Sequence, residues 1–346
     1  MKIFATEGFP FCKGRSENHS QFRIPNSEFR ITIRVTMKKQ ELLKLAGSVS
    51  QLGGIRDFTF NDGKMKGVRA IEVNTGKLRF TVLPDRCMDI ANAEFMATPL
   101  AWISKTGITA PTYYEKDGKN WLHGFFGGLM TTCGLRNIGG PVDEHGLHGR
   151  IANIPAEKVS VFADWVDDEY VMKISGEMRE SCVFGDNLVL KRTITAKLFE
   201  DTITVEDTVI NESFEAQNIA LCYHCNFGYP LVSETAKLVN IPEEYCEMSA
   251  PIHGKEEECI SVEYPDDVVR VGIENCGIGA YITYNRSTLP DFVMWKMLGE
   301  SEYVIGLEPR TARYGGANIG KNNAYVKLQP FTEYKTIVKF SFESLK

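Results

Sequence analysis

From about residue 55 onward the chain alternates apolar and polar residues in short runs. Val68-Arg-Ala-Ile-Glu-Val73 and Lys77-Leu-Arg-Phe-Thr-Val-Leu83 flank Asn74-Thr-Gly76, a turn sequence. Val159–Ala163, Tyr170–Ser175, Leu188–Thr195 and Thr202–Asp207 come next, the last two on either side of a hairpin tip at Glu200-Asp201. The series continues with Val268–Glu274, Ala280–Tyr284, Ala324–Leu328 and Tyr334–Ser341. A period of two places successive side chains on opposite faces, the mark of half-buried antiparallel strands. Many such strands with few short helices predict an all-β fold, a large antiparallel sandwich or barrel.

The clearest helical stretch is Met37-Lys-Lys-Gln-Glu-Leu-Leu-Lys-Leu-Ala-Gly47, amphipathic and closed by its glycine. No repeat and no low-complexity linker divides the remainder of the chain, so residues 37–346 are expected to form a single domain. Residues 1–36 have no sustained period. They are expected to be an N-terminal arm packed on the core, or an extension from an upstream start site, with the second favoured.

Two apolar runs end in polar residues at a strand terminus. In Ile219-Ala-Leu-Cys-Tyr-His-Cys-Asn-Phe-Gly-Tyr-Pro230, His224 and Asn226 share a face, with Tyr223 and Cys225 on the other. In Tyr303-Val-Ile-Gly-Leu-Glu-Pro-Arg-Thr311, Glu308 ends the run and Pro309 cuts it off. His224 is either a buried, hydrogen-bonded core residue or a proton donor, since an imidazole titrates near neutrality. Glu308 is either paired with Arg310 or Arg313, or a general base in a cleft. The functional reading brings the two strand ends together across a pocket wide enough for a polar substrate.

The long stretch 104–157 is rich in glycine and aromatics. Trp121, Phe125, Phe126 and Leu129 favour an ordered loop that walls a site. Its glycines match neither a P-loop nor a dinucleotide fingerprint. They read better as points of close backbone approach, with His148 and Arg150 protruding and His145 facing solvent. Asp85, Arg86 and Asp89 in Leu83-Pro-Asp-Arg-Cys-Met-Asp-Ile90 are a surface salt bridge, or Arg86 offers its rigid fork of donors to ligand hydroxyls or a carboxylate. Trp102 is core, or an apolar face for a sugar ring.

Composition narrows the function classes. At 43% hydrophobic residues the chain can fill a large core, and a net charge of −6 argues against a nucleic-acid partner. No apolar run reaches the length of a membrane span. The nine cysteines include only one C-x-x-C pair, Cys222 and Cys225, inside a predicted strand. A zinc site is therefore not expected, and reduced thiols in a cytoplasmic protein are the simplest account.

Five segments in order resemble the aldose 1-epimerase (mutarotase) family, in a less-studied branch: Leu83–Ile90, Phe126–Leu135, Gly146-Leu-His-Gly-Arg-Ile151, Tyr223–Gly228 and Gly306-Leu-Glu-Pro-Arg-Thr311. The resemblance spans residue 50 to the end. It implies a galactose-mutarotase-like β-supersandwich and a sugar 1-epimerase without metal or cofactor. It puts protonation of the ring oxygen on His224, deprotonation of the anomeric hydroxyl on Glu308 and sugar holding on His148. The chain departs from the family at His224-Cys-Asn-Phe-Gly228, where His-x-Tyr-Phe-Asn is usual, and at Arg310, where glutamine is usual. The family's sugar-binding aspartate has no match in these segments. Arginines 86, 150 and 310 suggest a substrate bearing a carboxylate or phosphate. A non-catalytic carbohydrate-binding module, a lyase and a ketose–aldose isomerase remain alternatives on the same scaffold.

Overall fold

The computed structural model describes residues 37–142, 144–312 and 326–345. The expectations for residues 1–36 and for Arg313 lie outside the described residues. The helix α1 forms over Lys39–Leu45. No helix among the described residues is long and apolar enough to cross a membrane.

In chain order the strands are β1 (Gly54–Thr59), β2 (Arg69–Asn74), β3 (Leu78–Leu83), β4 (Asp89–Phe95), β5 (Thr98–Pro99) and β6 (Thr131–Leu135). Next come β7 (Glu157–Val166), β8 (Glu169–Ser181), β9 (Asn187–Lys197), β10 (Thr202–Asn211), β11 (Gln217–Gly228), β12 (Lys237–Val239) and β13 (Glu258–Ser261). The last are β14 (Val268–Asn275), β15 (Ile278–Asn285), β16 (Asp291–Gly299), β17 (Glu302–Arg310), β18 (Val326–Leu328) and β19 (Glu333–Ser344). The predicted runs fall in strands to within a residue at their ends, except that Ala324 and Tyr325 of one run lie outside the described residues.

Strands β1 to β5 form one sheet in chain order. A second has the order β12-β14-β15-β19-β10-β9-β8-β7, and a third β13-β16-β17-β11-β18, with β6 also paired to β11. Every ladder between named strands is antiparallel. One apolar cluster runs through all three sheets, from Ile71 on β2 through Ile194 on β9 to Phe342 on β19. The architecture is the all-β sandwich that the period-two pattern predicts.

Strand β11 is buried on both faces, and the alternation sorts its residues. Ile219, Leu221, Tyr223, Cys225 and Phe227 enter the main cluster. Ala220 and Cys222 enter a second one with Trp102, Trp121 and Phe125, on the side of His224 and Asn226. Cys222 and Cys225 therefore lie on opposite faces of the strand.

The back face of β11 rests on a buried ionic knot. Arg192 of β9 donates from Nε and Nη2 to the two oxygens of Asp207 on β10, at 2.9 and 2.6 Å. Its Nη1 donates to Asp89 Oδ1 of β4 at 3.1 Å, to Thr132 Oγ1 of β6 at 2.8 Å and to the Cys87 carbonyl at 3.0 Å. The Tyr223 hydroxyl donates to Asp207 Oδ2 at 2.8 Å and meets the Thr336 hydroxyl. The side chains of Arg192, Asp89 and Asp207 are fully buried. Asp89, read from sequence as part of a surface cluster with Arg86, is thus a core carboxylate. Burial pushes its pKa up to about 6, against the pull of Arg192.

Removing one partner from such a knot strands the others without water. Arg192→Met is expected to lower unfolding stability by about 3–5 kcal/mol, measured by denaturant titration. A loss below about 1 kcal/mol would show that the two aspartates do not depend on the guanidinium.

Candidate active site

Register builds the centre of the site. Cys222 pairs with Arg310 and Cys225 with Leu307 across β11 and β17. The same register sets His224 directly opposite Glu308. Opposed residues on neighbouring strands have Cβ atoms about 4.5–5.5 Å apart and share a face. Here His224 Nε2 lies 3.2 Å from Glu308 Oε1, with the side chains 5% and 1% exposed. The pair therefore touches directly, and this corrects the expectation of a substrate-wide gap between the two groups. Adjacent strands leave no room for a ring between opposed side chains, so a ligand must lie over both.

The neighbours assign the protons. Asn226 donates from Nδ2 to the carbonyls of Gly128 and His224, at 3.1 and 2.9 Å, which turns its Oδ1 toward His224 Nδ1 at 2.6 Å. Nδ1 therefore carries a hydrogen. A neutral ring would then aim the Nε2 lone pair at a carboxylate oxygen. The contact requires one proton shared within the pair, held on Nε2 when Glu308 is ionised. The other carboxylate oxygen, Oε2, lies 3.7 Å from the Cys222 thiol.

Glu308 is continuous with a second ion pair. Asp291 of β16 is opposite Arg310 of β17 in register, and its carboxylate accepts from Arg310 Nε. Trp295 of β16 stands opposite Gly306, where a Cβ would come within 3.0 Å of the Trp295 Cβ. The missing side chain leaves room for the indole.

Aromatic rings surround the imidazole. Phe125 and Trp295 lie edge-on to His224, each at 5.2 Å between centroids, and His148 at 5.7 Å. Trp121 stacks on Phe125 at 4.6 Å and leans on His148 at 4.7 Å. Trp102, 8% exposed, packs behind Phe125 and Trp295. It backs the wall without touching the His224 ring. The stretch 104–157 supplies His148 and, of the four residues expected in its wall, Trp121 and Phe125; Phe126 and Leu129 pack into other apolar clusters.

His148 sits at the left-handed φ of +58°, a cost held in place by its backbone partners. Its amide donates to the Gly139 carbonyl at 2.8 Å and its carbonyl accepts from Gly134 at 3.0 Å. Its Nδ1 accepts from the Gly139 amide at 3.2 Å, so Nε2 bears the hydrogen. Desolvation, then the neighbouring His224 and Arg310, hold its pKa well below the usual imidazole range. His148 is a neutral donor. The glycines around it serve close packing: a Cβ at Gly149 would sit 2.3 Å from the Gly134 carbonyl oxygen, and one at Gly128 2.6 Å from that of Ile90.

Among the remaining predicted site residues, Arg86 is scaffolding. Arg86 is 1% exposed and donates to the carbonyls of Ala152 and Gly124 and to both oxygens of Thr109. It braces the long loop instead of offering its fork to a ligand. Arg150 lies 3.8 Å from Glu180. Its side chain stays 38% exposed, whereas Arg310 is buried on Asp291, so two of the three arginines that suggested an anionic substrate are engaged by protein groups. His145 is half-buried, not solvent-facing. Sequence reasoning missed Trp295 and Asp291. The one available signal was their odd-numbered alternation along Asp291-Phe-Val-Met-Trp295, which places them on one face.

A family described as a domain of unknown function, DUF4432, matches residues 65–342. The chain belongs to this family. No curated protein matches it. The DUF4432 chain is similar in structure to a provisionally assigned aldose 1-epimerase from Klebsiella pneumoniae, at 22% identity and a TM-score of 0.77, covering 85% of this chain and 86% of that one. It is also similar to a galactose mutarotase-like protein from Clostridium acetobutylicum, at 13% identity and a TM-score of 0.59, over 84% and 98%. A provisionally assigned aldose 1-epimerase from Escherichia coli K12 gives 12%, 0.56, and coverage of 84% and 100%. This DUF4432 member therefore has the galactose-mutarotase-like sandwich fold expected from its resemblance.

Glu180 anchors the His148 loop and makes it sensitive to pH. It is buried on β8, accepts from the Leu135 amide at 2.9 Å and faces Arg150. Burial raises its pKa to about 7 from 4.5, with the Leu135 bond and Arg150 opposing. The folded state thus binds a proton that the unfolded chain has released, so this stabilisation is present below pH ~4.5 and lost as pH rises through ~7. Gln at this position keeps the acceptor and cannot ionise. Relative to wild type, Glu180→Gln is expected to gain roughly 3 kcal/mol of stability between about pH 4 and pH 8. Parallel stability profiles in denaturant titrations would refute the assignment.

Proposed function

We propose that this protein is a sugar 1-epimerase that interconverts the α and β anomers of an aldose. The observation that supports this reading is the direct contact of His224 and Glu308, sharing one proton beneath aromatic rings. Mutarotation acts on two oxygens bonded to the same carbon, the anomeric hydroxyl and the ring oxygen. An acid and a base serving such a pair must themselves be close neighbours. A sugar lying over both groups needs no space between them.

In this mechanism Glu308 as carboxylate takes the proton from the anomeric hydroxyl. His224 as imidazolium gives the Nε2 proton to the ring oxygen, and the C1–ring-oxygen bond breaks. Rotation about C1–C2 presents the other face of the aldehyde. Reclosure runs the two transfers backward and restores both groups. Asn226 keeps the Nδ1 hydrogen in place, and His148 donates from Nε2 to a sugar oxygen. Phe125 and Trp295 offer apolar surface to the C–H face of the ring and exclude water, which strengthens each charge–dipole contact. No step requires a metal or an organic cofactor. The engaged state of arginines 86 and 310 favours neutral aldoses over acidic or phosphorylated ones.

Exchange between anomers, followed by saturation-transfer NMR over a panel of neutral, acidic and phosphorylated sugars, tests the proposal. Glu308→Gln and His224→Ala are each expected to slow exchange by about a hundredfold or more. Full activity in either folded variant removes the assignment. Binding without exchange would select a carbohydrate-binding module, and products altered beyond the anomeric centre a lyase or isomerase.

A further inference from the structure

Trp121 has a feature that packing alone does not explain. The residue is 3% exposed and its indole Nε1 is buried with no hydrogen-bond partner among the described residues. Buried indole N–H groups almost always find an acceptor, and one left without costs free energy in the folded protein. Trp295, the other indole of the wall, obeys the rule and donates to Glu257 at 2.7 Å.

The location of the orphan donor narrows its purpose. Phe125 and His148 each contact both Trp121 and His224. The indole therefore belongs to the same ring cluster as the imidazole, one ring contact removed from it. It is also well fixed. Trp121 lies in the short 3-10 helix Asn120–Gly124, whose last carbonyl accepts from the buried Arg86. Stacking on Phe125 orients the ring plane. A polar donor held rigidly, out of bulk water and without an acceptor among the described residues is arranged for a ligand acceptor.

We propose that the Trp121 indole N–H is a specificity-determining contact that donates to one hydroxyl oxygen of the bound sugar, away from the anomeric centre. This rests on the sugar 1-epimerase reading. Trp121 holds the far side of the ring while His224 and Glu308 work on the near side. Because the bond exists in both the ground state and the transition state, it contributes to binding and not to turnover.

The test compares wild type with Trp121→Phe, which keeps an aromatic ring and deletes the donor. The probes are D-glucose, D-galactose and the singly deoxygenated forms of whichever is exchanged. For W121F we expect KM to rise about three- to tenfold, the range for one neutral hydrogen bond, with kcat within about twofold. One deoxy sugar should show the same KM penalty in wild type and no added penalty in W121F. An unchanged KM, or a full deoxy penalty retained at every position in W121F, overturns the assignment while leaving the epimerase reading intact. Wild-type protein that neither binds nor exchanges any probe overturns both. If W121F does not fold, indole N–H resonances of wild type serve instead. The chain has four tryptophans, so the Trp121 signal is assigned by elimination in W102F, W165F and W295F. It should move downfield on titration with the exchanged sugar, and a stationary signal overturns the proposal.

Discussion

The structure depends on one guanidinium. Arg192 reaches from β9 into the centre of the fold and holds Asp207 of β10, Asp89 of β4 and Thr132 of β6 at once. Those strands belong to three different sheets. Three buried charges are costly to take from water, and replacing such groups by apolar ones of equal shape is often neutral or stabilising. What the knot supplies here is position. Tyr223 joins it through its hydroxyl, and Tyr223 is the residue immediately before His224. With Tyr223 fixed to one side of β11, strand alternation aims His224 to the other. A slip of one residue would bury the imidazole in the main core and strand the phenol among the site rings.

The same register argument carries across to β17. His224 and Glu308 are 84 positions apart in the chain, yet they meet because two antiparallel strands bring opposed residues onto a common face. Both are therefore placed by backbone ladders instead of loops, which limits how far either can drift. The loop-borne members of the site need separate bracing. Arg86 ties Thr109, Gly124 and Ala152 together, and Glu180 holds the Leu135 amide beside Arg150. Arginines that look from sequence like ligand contacts are the means by which a glycine-rich loop keeps its shape.

This division between ladder and loop separates the features that are legible in the sequence from those that are not. Period-two alternation is local, so the strands, the common face of His224 and Asn226, and the opposite aim of Tyr223 are all legible. The aromatic density of 104–157 is enough to mark a wall. Three features stay hidden in the sequence. Asp89 and Arg86 sit three residues apart and look like one surface cluster, but they serve different partners deep in the fold. Trp295 and Asp291 lie on a strand whose alternation is masked, because both of its faces are covered. The contact distance between acid and base is hidden too. Local pattern sets which way a side chain points, and only long-range pairing sets what it meets.

The balance of charge at the site accounts for how Glu308 can be 1% exposed. An ionised carboxylate without a counter-charge would not survive such burial and would take up a proton. Among the described residues the site holds two acids, Glu308 and Asp291, and two charged bases, His224 as imidazolium and Arg310, paired across neighbouring strands. His148 is neutral and adds nothing to the sum. Arg310 is a counter-charge of Asp291.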